Sequence, residues 1–136
     1  MYKILLTLLA LLITSNVAFA RTCLPFAIQE ALKYNGQPAN WRIIDWELGK
    51  EEGYYAVDSF KKLKINYKIV KEITKFPVIV EVKGHAYVVL GEIGKYWKVK
   101  DTLCRDEYCA YLKTEVKKKH IKYYYINGYN VPSNGN

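Results

Sequence analysis

Acid is scarce in this chain. Its 13 Asp and Glu face 21 Lys and Arg, a formal net charge of +8 at pH 7 over 136 residues. No apolar run reaches the roughly 20 residues a bilayer-spanning helix needs. Internal repeats and a Pro/Gly/Ser-rich linker are also missing, which argues against a solenoid and against a second domain. No nucleic-acid-binding motif accompanies the basic charge, so nucleic acid is not an expected partner. The excess points to anionic cell-envelope material, to acidic peptides, or to a plain solvated surface. Cysteine is scarce too, and odd in number: Cys23, Cys104 and Cys109.

The most apolar stretch opens the chain. Met1-Tyr2-Lys3 forms a short basic region, Ile4 to Ile13 an apolar one, and Val17-Ala18-Phe19-Ala20 a small-residue cleavage site. This is the pattern of a cleavable signal peptide over 1–20, and it predicts a secreted or periplasmic protein with no membrane span after cleavage. Removing that segment, which carries one Lys and no acid, leaves 116 residues at +7. That is enough for one domain, 21–127, with a modest core. Arg21 before Thr22 and Cys23 is out of place in a lipidation site.

In an oxidising compartment, Cys104 and Cys109 are close enough in Cys-Arg-Asp-Glu-Tyr-Cys to clamp a loop as a disulfide. Cys23 is then left as a reactive thiol or a partner for another chain; the alternative bridges Cys23 to one of the other two. His120 with Cys104 and Cys109 offers three zinc ligands, but no fourth is evident and the compartment favours the disulfide.

Hydrophobic periodicity predicts helices first and strands after. Thr22 is a candidate N-cap, Pro25 falls in the first turn, and Leu24, Phe26-Ala27-Ile28 and Ala31-Leu32 form an apolar stripe that Gly36 ends. A thiol at that helix start meets the positive end of the macrodipole, which favours the thiolate. Further helices are predicted at Trp41 to Leu48, capped by Asn40, and at Tyr54 to Leu63. Strands are predicted at Ile65 to Val70, Phe76 to Val82, Gly84 to Gly91, Tyr96 to Asp101 and Ile121 to Ile126. The tyrosines Tyr123-Tyr124-Tyr125 read as strand packing. From Gly128 the polar tail, 128–136, is expected to be disordered. Helices followed by an antiparallel sheet make an α+β fold. If the strands around Lys83-Gly84 and Gly91 to Gly94 pair as neighbours, His85 and Asp101 come together at one sheet edge.

The chain order Cys23, His85, Asp101 brings a family into view. Cys23 opening a helix, the segment Tyr55-Ala56-Val57-Asp58-Ser59-Phe60-Lys61-Lys62-Leu63, the block Phe76-Pro77-Val78-Ile79-Val80 with Gly84-His85-Ala86-Tyr87-Val88-Val89-Leu90, and Val99-Lys100-Asp101 together resemble the double-glycine leader peptidases. These are the bacteriocin-processing cysteine peptidases and their stand-alone relatives. The resemblance runs from Thr22 to Asp101. It implies a papain-like fold, N-terminal helices packed on an antiparallel sheet, and a peptide or protein substrate cleaved after small residues such as Gly. It assigns Cys23 as nucleophile, His85 as general base and then acid, and Asp101 as the group that orients the imidazole, with no metal or cofactor. One difference stands out. The family's oxyanion glutamine, a few residues before the cysteine, would fall inside the predicted signal, and Arg21-Thr22 supply no such group. Two alternatives follow: a peptidoglycan amidase or endopeptidase of the same fold, and a catalytically inactive peptide-binding domain.

Overall fold

A computed structural model describes residues 22–49, 55–104 and 107–129. The predicted signal, 1–20, and residues 130–136 of the predicted tail lie outside them.

The N-terminal half is helical. Helix α1 covers 22–34, so Thr22, expected as the cap, is already helical, and Cys23 and Pro25 sit in its first described turn. Gly36, at φ 77°, takes the left-handed conformation that ends such a helix. Helix α2, Trp41–Leu48, starts where Asn40 accepts a hydrogen bond from Arg42 N, and it ends at Gly49 in the left-handed region. Helix α3, Ala56–Lys62, is shorter than expected and has no side-chain cap.

Six strands follow: β1 Ile65–Val70, β2 Val78–Val82, β3 His85–Ile93, β4 Tyr96–Lys100, β5 Cys109–Leu112 and β6 Lys122–Tyr129. They form one sheet in the order β1-β6-β2-β3-β4-β5, every pair antiparallel. Two elements go beyond the sequence reading: β5, and helix α4, Lys113–Lys119. The last strand also runs past its expected end at Ile126. Gly128 and Tyr129 pair with Asn66 and Ile65, so these two residues belong to the sheet and not to the tail. Gly128 sits at φ 110°, and Tyr129 N donates to Gln37 Oε1 at 3.1 Å, which ties the strand end back to the loop after α1.

The sheet is covered on both faces, which explains why its central strands read as continuous apolar runs. On one face Ile79, Ala86, Val88, Tyr124 and Ile126 pack against Cys23, Ala27, Ile28 and Leu32 of α1, with Leu48 and Phe60 from the next two helices. Phe60 is fully buried and meets Tyr67 and Tyr124 ring to ring, with centroids 5.1 and 5.3 Å away. On the other face Val78, Val80, Tyr87, Val89, Val99 and Tyr123 pack under Val116 of α4. Strand alternation sends Tyr123 and Tyr124 to opposite faces, both buried. Among the described residues, no helix is long and apolar enough to cross a membrane.

Candidate active site

The site is assembled at one end of the sheet, where three elements begin or finish. Gly84, at φ 70°, completes the tight turn out of β2, and His85 is the first residue of β3. On the neighbouring strand Val88 pairs with Lys100. Continuing that register by one residue sets Asp101 opposite Tyr87, one same-face position from His85, a diagonal that long side chains can span. His85 Nε2 and Asp101 Oδ1 are 2.7 Å apart. Cys23 lies across from them on α1, lines the same cleft as His85, and is close enough to act on the imidazole's proton affinity. The three residues singled out in the sequence therefore converge.

Asp101 is 1% exposed and fully engaged. Besides His85, it accepts from the Tyr111 hydroxyl on Oδ2 at 2.5 Å, and on Oδ1 from Leu103 N at 3.3 Å and the Thr102 hydroxyl at 3.4 Å. A buried carboxylate is costly unless several donors satisfy it, and here they do. Burial pushes the Asp101 carboxyl up, but the bonds from His85, Tyr111 and Leu103 more than reverse this and hold it below the usual carboxylate range. Burial, the largest influence on His85, works against its charged form. Asp101 and Cys23 together outweigh it and raise His85 from 6.5 to about 9. Burial and then the Asp101 carboxylate raise the Tyr111 phenol, which keeps it an O–H donor.

With Nε2 committed to Asp101, the other ring nitrogen, Nδ1, is the one left to exchange a proton with Cys23. The arrangement is a thiol, an imidazole and a carboxylate in series, with the carboxylate fixing the imidazole.

Tyr111 could not be found from sequence spacing. It arrives on β5, where Tyr111 pairs with Trp97 and Cys109 with Val99. Cys104 and Cys109 are joined in a disulfide with Cα atoms 6.0 Å apart, while Cys23 keeps its thiol. The bridge links two suppliers of Asp101. Cys104 ends the 3₁₀ turn Thr102–Cys104 that carries Leu103 N, and Cys109 begins the strand that carries Tyr111. Replacing Cys104 and Cys109 together by serine is expected to lower unfolding stability by about 2 kcal/mol, the chain-entropy value for so short a loop. The check is urea denaturation of the double variant beside the parent protein under oxidising and reducing conditions. A midpoint that neither reductant nor substitution moves would refute the clamp.

His120 has no place in a zinc site with those cysteines. Its Nδ1 donates to the Lys117 carbonyl at 2.7 Å and its ring stacks on Tyr123, centroids 3.9 Å apart. No group of metal-ligating side chains occurs among the described residues.

Beside Cys23 and His85 a cleft of about 460 Å³ opens between the helices and the sheet. Its walls are mostly apolar, from Leu24, Val57, Ile79 and Ala86, and one carboxylate, Glu81, stands among them. Glu81 accepts a hydrogen bond from the Tyr124 hydroxyl at 2.6 Å.

Helices packed on one face of an antiparallel sheet, with a cysteine early in the first of them and a histidine and an aspartate at one sheet end, define the papain-like peptidase fold. The chain has the fold of a solved structure, the peptidase domain of Streptococcus ComA, a bifunctional ABC transporter involved in a quorum-sensing pathway. The TM-score is 0.66 at 19% sequence identity, over 79% of this chain and 92% of that domain. No protein-family model matches the sequence, and no curated protein does.

Proposed function

We propose that this chain is an exported cysteine peptidase that hydrolyses a peptide bond, with small residues such as Gly preceding the cut. The observation that carries the reading is the series Cys23, His85, Asp101, closed by a 2.7 Å bond and backed by Tyr111. The fold shared with a peptidase domain supports it. The N-terminal segment, 1–20, and the Cys104–Cys109 disulfide support export.

The chemistry follows from the geometry. His85 Nδ1 takes the thiol proton, and the Cys23 thiolate adds to the carbonyl carbon of the bond to be cut. As the tetrahedral species collapses, Nδ1–H passes its proton to the leaving amine, and a thioester to Cys23 remains. His85 then deprotonates a water that attacks the thioester, and Cys23 recovers its proton as the acid product leaves. Throughout, Asp101 accepts from Nε2–H and so keeps Nδ1 turned to the sulfur. No metal or cofactor enters these steps.

The test pairs reactivity with turnover. Iodoacetamide labelling of Cys23 is followed against pH in the parent protein and in His85→Ala, beside cleavage of peptides carrying a double-glycine leader and a cell-wall zymogram. Labelling of Cys23 that His85→Ala abolishes, together with cleavage after glycine, is the expected result. Clearing of cell wall without peptide cleavage would move the activity to peptidoglycan. A Cys23 indifferent to His85 would leave a peptide-binding domain without catalysis.

A further inference from the structure

Glu81 is the least expected residue in the cleft. It follows three apolar residues of β2 and shares the helix-covered face with Ile79. Its backbone is fixed on both sides, opposite Ala86 of β3 and Lys122 of β6, and its carbonyl accepts from Ile121 N at 2.7 Å. The Tyr124 hydroxyl holds Oε1, and among the described residues Oε2 has neither a hydrogen bond nor an ion pair. Lys122 lines the same cleft and faces Glu81 across the strands, but it is exposed and makes no ion pair with it.

A carboxylate standing in apolar walls is stabilised most by a cation that brings its own hydrogen-bond donors. The walls formed by Leu24, Val57, Ile79 and Ala86 suit the methylene stem of a long side chain whose charged head lies at the far end. Cys23 and His85 line this same cleft, so it adjoins the place where a peptide carbonyl would meet Cys23 and is within reach of a flanking side chain. We infer that Glu81 is a specificity-determining residue and that the cleft binds the side chain of a Lys or Arg that follows the bond to be cut, the small residues preceding it. This rests on the peptidase reading for the cut, though not for the binding. Lys122 is the one Lys or Arg among the described cleft-lining residues; the rest of the chain's positive charge does not oppose such an anchor, because charges beyond about 8–10 Å are screened at physiological salt while a contact pair is not.

The experiment separates the two readings. Binding of two dye-labelled hexapeptides, identical except for Lys or norleucine at the flanking position, is measured by fluorescence anisotropy on the Cys23→Ala protein, with and without Glu81→Gln. Turnover of the same peptides is measured on the parent protein. The Lys peptide is expected to bind about tenfold more tightly, as suits one charge-assisted contact, and Glu81→Gln is expected to erase that preference. In Glu81→Gln the amide oxygen still accepts from Tyr124, so the cleft keeps its shape. Equal binding of the two peptides, no binding of either, or a Lys preference that survives Glu81→Gln would overturn the inference. The first two outcomes are read in the Cys23→Ala protein alone, so a misfolded Glu81→Gln does not shelter it. Lys-selective binding without turnover by the parent protein would sink the peptidase reading and leave the cation site standing.

Discussion

His85→Ala is expected to lower kcat for peptide hydrolysis by on the order of 10⁴- to 10⁶-fold, and Cys23→Ala by as much. On the proposed mechanism the two side chains act as one unit: without the imidazole the thiol loses its base and the leaving amine its acid. The double variant is therefore expected to be no worse than either single one, and that non-additivity is the sharper measurement. Losses that multiply would mean that the two residues act in separate steps.

On the same mechanism this couple sets the pH dependence. Leaving-group protonation needs a proton on His85, so kcat is expected to fall as pH rises through about 9. Stability carries the same signature. The folded protein binds the His85 proton more tightly than the unfolded chain does, since Asp101 and Cys23 raise it from 6.5 to about 9 against the cost of burial. That contribution is fully present below pH 6.5 and is lost as pH climbs through about 9. Urea midpoints of the parent protein and of His85→Ala should therefore converge across that interval. Midpoints that stay a fixed distance apart would deny the raised value.

Much of this site was legible in the sequence because each member announces itself locally. Cys23 opens an amphipathic stripe, Gly84 forces the turn that makes His85 the head of a strand, and Asp101 ends the next apolar run. Two strands joined by a short turn have to pair, so the meeting of His85 and Asp101 follows from sequence order. Tyr111 and Glu81 were hidden for the opposite reason. Tyr111 reaches Asp101 only through the β4–β5 register, and Glu81 reads as a lone polar residue near the end of an apolar strand until α1 and α3 close over that face. Helix α4 had no periodicity to betray it: in Lys113–Lys119 only Val116 is buried, and one apolar residue makes no stripe. The strand at Gly128 and Tyr129 looked like tail because its composition is that of a loop. Pairing with β1, which local composition does not encode, overrides this.

Asp101→Ala is expected to cost about 3–5 kcal/mol of folding stability, the range for removing one partner of a buried charged pair. The residue is 1% exposed and is the shared acceptor for His85, Tyr111, Thr102 and Leu103. Alanine would leave the imidazole N–H and the Tyr111 hydroxyl facing a dry gap, each with its full desolvation penalty. Asp101→Asn should behave otherwise. Its amide oxygen can still accept from His85 Nε2–H, and the phenol of Tyr111 can turn to accept from the amide nitrogen, so the geometry survives and the stability loss is smaller. What asparagine removes is the negative charge, and with it most of what lifts His85 above 6.5. The alkaline limb of kcat is then expected to shift down from about 9 while Cys23 stays alkylatable. Acid stability should change too. The lowered Asp101 carboxyl contributes stability that is present above its ordinary 3.8 and is lost as pH falls through the folded value, and that acid-side slope should be missing from Asp101→Asn. Urea unfolding from acid to alkaline pH, with kcat measured over the same range, run on both variants beside the parent protein, reads all three effects. An alanine variant as stable as the parent, or an asparagine variant with its alkaline limb unmoved, would mean that another group holds the imidazole in place.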